Sequence, residues 1–368
     1  MPSQDILFSS ASLGSINVSN RLVMAPMTRS LTPGGVLKEA NIDYYRKRAA
    51  GGIGLIISEG TCIDHPSASG YPDVPFIGRA DTLEAWTKLA SAVHEHGTLL
   101  MPQLWHVGAI RKPGMEPGGD TPGWSPSGYV APGKHVGYSM TESDIAEIIA
   151  AYVKAAEQAR QAGCDGVEIH GAHGYLIDQF FWPETNLRED NYGGDMARRS
   201  RFAIEVISAI RKAVGPDFSI VIRISQWKQQ DYEAKLCITP ESLAEFINPL
   251  ADAGVDIFHC STRRFWEPEF EGSQLNLAGW VKKLSGKPTI TVGSVGLNHD
   301  FLPTGKNLPF SAGETANLDQ LVERLEADEF DLVAVGRALI ANPDWANKVR
   351  SEQFDQLVGF DSTMLGSL

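Results

Sequence analysis

Short apolar runs recur along the chain, each ending near Gly, Ser or His and each followed by an amphipathic stretch. The pattern predicts strands at Arg21–Pro26, Ile53–Glu59, Leu99–Leu104, Gly166–His170, Ser219–Ile224, Val255–Cys260, Pro288–Val292 and Leu332–Gly336. Ile53–Ile57 and Ile220–Ile224 are continuously apolar, as strands of a parallel sheet covered on both faces must be. These units predict an α/β fold, a single (β/α)8 TIM barrel over residues 1–368 with insertions at its C-terminal face.

The helices carry their own punctuation. From Thr141, Ile145, Ile148, Ile149, Tyr152, Val153 and Ala156 keep 3.6-residue spacing, Thr141 and Asp144 form a capping-box pattern, and Gly163 marks the stop. Thr239-Pro240 sets a cap and then a proline ahead of Leu243, Phe246, Ile247 and Leu250, and Asn342-Pro343 repeats the device before the last helix. Two segments break the rhythm: 107–140, dense in Gly and Pro, and 261–275, with Arg263, Arg264, Phe265 and Trp266. Both follow strands, so a barrel places them over its C-terminal face as candidate lid loops.

Composition narrows the partners. Lys and Arg number 32 against 45 Asp and Glu, a formal charge of −13 with no basic run, which argues against nucleic acid. The start, MPSQDILFSS, lacks a cationic segment followed by an apolar one, and no stretch of about 18 apolar residues follows. Neither export nor a membrane span is expected, and a cytoplasmic location is. Cys62, Cys164, Cys237 and Cys260 form no CxxC pair, so they read as reduced, buried thiols and not as zinc or iron–sulfur ligands.

The strongest local signal is Gly166-Val-Glu-Ile-His170-Gly-Ala-His173-Gly-Tyr175, a strand that ends in two imidazoles and a tyrosine. At the C-terminal mouth of a barrel these three side chains can converge on one small ligand. Zinc is the alternative, which would make the chain a metal-dependent hydrolase. There is no HExxH pattern and no third ligand by spacing, so no metal is expected. His94 and His96 end a helical stretch, where the helix dipole accounts for them, and His65, His135 and His259 have no assigned role.

The segment HGAHGYLIDQF, with Asn191-Tyr-Gly-Gly194 and Arg198-Arg199-Ser-Arg201-Phe downstream, resembles the Old Yellow Enzyme family of FMN-dependent ene reductases. The likeness covers nearly the whole chain. It includes Leu13-Gly14, Asn20 to Arg29, Ser58-Glu59-Gly60-Thr61, Gln103-Leu104-Trp105-His106, Arg223-Ile-Ser225 and Val335-Gly336-Arg337-Ala338-Leu339. It implies bound FMN, with Ala25, Pro26, Met27 and Thr28 beside the ring, Gly60 allowing close approach, and Gln103 on the pyrimidine edge. Arg223 would sit near N1 and O2 and favour the reduced anion, while Gly293, Gly336 and Arg337 would take the phosphate.

The resemblance further implies a two-step, ping-pong cycle in which NADH or NADPH reduces the flavin and an electron-poor alkene then takes the hydride. His170 and His173 would hold the activating carbonyl or nitro oxygen, Tyr175 would protonate the α-carbon, and Trp105 would shape the pocket. Thr28 stands where some relatives have cysteine, so thiol tuning of the flavin is not expected. Arg29 lies in the family pattern and reads equally as a loop brace pairing with a carboxylate. The runner-up keeps the barrel and flavin but oxidises or demethylates a small amine or betaine. Larger relatives add an iron–sulfur motif and a second nucleotide domain; the chain ends shortly after its eighth unit, so such a relay is not expected. NAD(P)H and a small alkene are the expected partners, with self-association left open.

Overall fold

The computed structural model describes residues 4–298, 314–316 and 318–368. Eight parallel strands close on themselves: β1 (Leu22–Met24), β2 (Leu55–Ile63), β3 (Leu99–Trp105), β4 (Gly166–His173), β5 (Ser219–Lys228), β6 (Ile257–Ser261), β7 (Thr289–Val292) and β8 (Leu332–Val335). Each pairs with the next, and β8 pairs with β1 through Ala334↔Val23, which seals the ring. The predicted barrel is present, with each predicted strand within it. The largest extensions lie at the C-terminal ends, where β2 runs on to Ile63, β4 to His173 and β5 to Lys228.

Two apolar layers hold the barrel. Inside it, Val23, Leu55, Ile57, Met101, Val221, Ile257, Ile290 and Leu332 pack together with Leu13, Ile16 and Val18 from an antiparallel hairpin, Ala11–Leu13 with Ile16–Val18. Gly14 at the hairpin turn lies against Asp256, just before β6, so the hairpin fills the N-terminal end. Outside, the strands' other faces pack on helices that include α1 (Glu39–Ala50), α2 (Leu83–His94), α3 (Glu142–Gln161), α4 (Leu176–Phe181), α5 (Met196–Val214), α6 (Pro240–Asp252) and α7 (Leu277–Ser285).

Local signals explain several helix ends. Thr141 accepts from the Asp144 N–H while Asp144 closes the box, and Gly163 follows at φ +85°. Thr239 caps α6 in the same way, through Ser242. The Asn342 cap does not form. The last α-helix, Trp345–Arg350, starts after Asp344, and the Asn342 side chain binds the Val358 backbone instead, tying down the C-terminal segment. All four cysteines are free and buried. No helix among the described residues is long and apolar enough to cross a membrane.

Candidate active site

Inward positions change character toward the C-terminal mouth. Read in steps of two, β3 gives Met101, Gln103, Trp105; β5 gives Val221, Arg223, Ser225; β6 gives Ile257, His259, Ser261. On β4 the matching positions are Glu168 and His170. Strand register sets His170 beside Arg223 and Arg223 beside His259, so residues far apart in sequence share one rim.

Below that rim the polar groups are interlocked. Gln103 Nε2 donates to Glu168 Oε1 at 2.7 Å, and the other carboxylate oxygen accepts from His259 Nδ1 at 2.5 Å. Burial lowers the His259 pKa, with the Glu168 charge opposing, so the imidazole is neutral and its Nε2 is an acceptor. Burial also lowers the Arg223 pKa, again against Glu168, and a guanidinium keeps its charge regardless.

His170, His173 and Tyr175 converge. The two imidazole centroids are 5.1 Å apart, and His170 meets the Tyr175 ring at 4.8 Å, edge to face. His173 Nε2 lies 2.8 Å from Ser261 Oγ, which also accepts from Arg223 Nη2 at 3.3 Å, and Trp227 stacks on the His173 ring at 4.4 Å. Burial first, and the Arg223 charge second, hold both imidazoles well below the ordinary histidine pKa. They are neutral hydrogen-bonding groups at pH 7. Burial raises the Tyr175 pKa well above that of free phenol, so its proton is retained until a strong base is presented.

The turn that places Tyr175 is unusual backbone. His173 (φ +66°) and Gly174 (φ +79°) are consecutive left-handed residues, a conformation that disfavours most side chains. Hydrogen bonds hold it: His173 N–H donates to Ser225 Oγ at 3.0 Å, and Gly174 N–H to Asp178 Oδ2 at 2.7 Å. The other oxygen of Asp178 meets Lys228 Nζ at 2.6 Å, an ion pair buried on both sides. The extension of β5 therefore brings the cation that secures the end of β4.

The expected cofactor residues line the same mouth. Ala25, Pro26, Met27 and Thr28 leave β1, with Ala25 buried and Thr28 exposed. Gly293 and Gly336 follow the paired strands β7 and β8, and a Cβ on Gly336 would touch Met27 Sδ at 3.6 Å. The Arg337 guanidinium lies over the Phe360 ring. The space Gly60 leaves is filled by Trp105, since a Cβ there would lie 2.6 Å from the indole. Among the described residues, His170 Nδ1, Arg223 Nε, His259 Nε2 and Trp105 Nε1 are buried without hydrogen-bond partners. Buried polar atoms are rarely left so, and this set, two N–H donors, the His259 acceptor and an imidazole nitrogen able to serve as either, fits a flat ring with a polar edge, as FMN has. No group of three or more His, Cys, Asp or Glu is arranged to hold a metal ion among these residues.

Other contacts were not marked by the sequence pattern. Tyr71 stacks on Trp105 at 5.3 Å and reaches Tyr175 Oη at 3.2 Å, and Gln229 Nε2 donates to the same oxygen at 2.8 Å. Both come from loops, where no periodicity marks direction. Glu168 and Ser261 were legible in principle, each two residues from a named histidine on its strand. Arg29 braces a loop, but through carbonyls: its side chain donates to Met364, Leu365 and Ser367, while its N–H donates to Glu59. His94 has a partner besides the helix dipole, Asp165 at 2.8 Å.

Comparison with known proteins places this geometry in a family. The model of the NADH:flavin oxidoreductase / NADH oxidase family matches residues 6–356. An NADH oxidase of Thermoanaerobacter brockii is 34% identical over 364 residues, 95% of this chain but 52% of that protein, so the chain spans about half its length. 12-Oxophytodienoate reductase 2 of Arabidopsis thaliana is 33% identical, with 90% of this chain and 85% of that one covered. Morphinone reductase, solved with tetrahydroNAD, superposes with a TM-score of 0.81 at 28% identity, covering 98% of this chain and 93% of the other. These relatives favour alkene reduction over oxidation of an amine or betaine. The chain belongs to the NADH:flavin oxidoreductase / NADH oxidase family, the Old Yellow Enzyme family of FMN-dependent, NAD(P)H-consuming ene reductases.

Proposed function

We propose that this chain reduces the C=C bond of α,β-unsaturated carbonyl or nitro compounds at the barrel mouth, with His170, His173 and Tyr175 acting on the substrate. The observation that carries the reading is the convergence of two neutral imidazoles and a protonated phenol beside the Arg223 cation. FMN, when bound, supplies the hydride that NADH or NADPH provides. Ala25, Pro26, Met27, Thr28, Gly60, Gln103, His170 and Arg223 would hold its ring, and Gly293, Gly336 and Arg337 its phosphate.

His170 and His173 hydrogen-bond the substrate's activating oxygen. Being neutral, they stabilise the enolate that develops there without first losing a proton, and their effect grows as charge accumulates. Tyr175 gives its proton to the α-carbon and is left as phenolate. Trp105 packs against both Tyr71 and Tyr175 and limits how the alkene enters. The excursions 107–140 and 261–275 act as lids. The first is tethered through Ala109 N–H to Gln179 Oε1, and the second borders a cavity of about 410 Å³ beside Trp227.

Purified protein is expected to be yellow and to release FMN on denaturation. NADH or NADPH without oxygen should bleach it, and a cyclic enone should restore the colour. Protein that stays colourless after incubation with FMN would end the reading. Replacing His170 and His173 together with alanine should weaken binding of a simple phenol, an enolate mimic, by about a hundredfold, since two hydrogen bonds to a charged oxygen are lost. Spectral titration with the phenol checks this, and unchanged affinity would remove both from the oxygen site.

A further inference from the structure

Tyr175 is buried, and its role as acid leaves it one proton short after every turnover. Trp105 and His170 wall its ring at 5.0 and 4.8 Å. Among the described residues its hydroxyl has two hydrogen-bond partners. Gln229 donates an amide N–H at 2.8 Å, which fixes the oxygen and steadies a phenolate but cannot surrender the proton at neutral pH. Tyr71 Oη, at 3.2 Å, can surrender one.

Tyr71 differs from Tyr175 in its surroundings. It is half-buried, and it lines a cavity of about 500 Å³ bordered by Ser69, Asp73, Arg79 and Glu116. Stacking on Trp105 at 5.3 Å holds its ring in place, with the hydroxyl on the buried phenol while the residue also borders the cavity.

We propose that Tyr71 recharges Tyr175, passing a proton from water in this cavity to the buried phenolate, with Gln229 holding the acceptor oxygen in line. The inference rests on the proton-donor reading of Tyr175. In the step, the Tyr71 O–H bond breaks as the Tyr175 O–H bond forms. Water then protonates the Tyr71 oxygen, and hydroxide leaves through the cavity. The direction is favourable, because burial raises the Tyr175 pKa further than that of Tyr71, making its phenolate the stronger base. Tyr71 and Gln229 act through Tyr175 and are positioning residues.

Tyr71→Phe keeps the ring on Trp105 and deletes only the hydroxyl. In the flavin-loaded enzyme, the first alkene turnover uses the proton already on Tyr175 and should stay within about twofold of wild type. Steady-state turnover should fall about tenfold and recover when imidazolium buffer, a small acid that enters the cavity, is raised. Steady-state turnover at the wild-type rate would overturn the proposal, as would first and later turnovers slowing by the same factor. An independent readout is exchange of the Tyr175 hydroxyl proton with water. It is followed by the Cζ resonance of labelled tyrosine in mixed light and heavy water, with Tyr175→Phe giving the assignment. Exchange should slow about tenfold in Tyr71→Phe, and an unchanged rate would contradict the route. If Tyr175→Phe itself leaves the first alkene turnover untouched, the donor reading falls and the relay falls with it. A normal defect in Tyr175→Phe beside an unaffected Tyr71→Phe sinks the relay alone.

Discussion

Tyr175→Phe is expected to slow alkene reduction by about 10²–10⁴-fold, the usual contribution of a placed general acid, while reduction of the enzyme by NAD(P)H stays within about twofold. The asymmetry follows from the chemistry. Only the alkene half of the cycle needs a proton delivered to carbon, and Tyr175 is the buried acid beside the imidazoles. The substitution keeps the ring and its packing on Trp105 and His170, so pocket shape is retained. Stopped-flow absorbance separates the halves, and equal slowing of both would remove the proton-donor role.

Lys228→Met is expected to lower folding stability by about 3–5 kcal/mol, because it strands the Asp178 carboxylate in the interior. Both partners are fully buried, and Asp178 also accepts the Gly174 N–H that secures the left-handed turn. Burial already raises the Asp178 pKa, with Lys228 pulling it down. Removing the lysine raises it further. A carboxyl whose folded-state pKa exceeds its unfolded value favours folding when protonated, and that contribution is lost as pH rises through the folded value. The variant should therefore be less impaired in acid than at pH 8. Urea unfolding at several pH values tests this, and a loss below about 1 kcal/mol at pH 8 would contradict it. Replacing Asp178 by leucine as well should recover part of the loss, since no lone charge remains.

The barrel was readable because its strands are buried on both faces and therefore continuously apolar. That same criterion cut three strands short by three or four residues, β2, β4 and β5. Beyond Ile224 the chain reads Ser-Gln-Trp-Lys, polar enough to resemble a loop, yet Ser225 and Lys228 are buried and help secure the β4 end, Ser225 through the His173 N–H and Lys228 through Asp178. Asn342 before a proline satisfies every local rule for a cap, and a distant partner, Val358, claims its side chain instead. At the site, the strand-borne residues followed from position, since side chains at strand ends face one mouth. His259 was passed over although it lies on such a strand, because its partner Glu168 is 91 residues away. Tyr71 and Gln229 sit on loops whose paths depend on tertiary contacts, so sequence gave no direction for them.

The hairpin carrying Leu13, Ile16 and Val18 caps the lower end of a barrel whose interior is already packed with side chains, so in the proposed cycle both reactants use the upper mouth. Electron source and electron acceptor are then expected to enter and depart in turn, and an excess of coenzyme or of alkene to slow the flux it would otherwise feed.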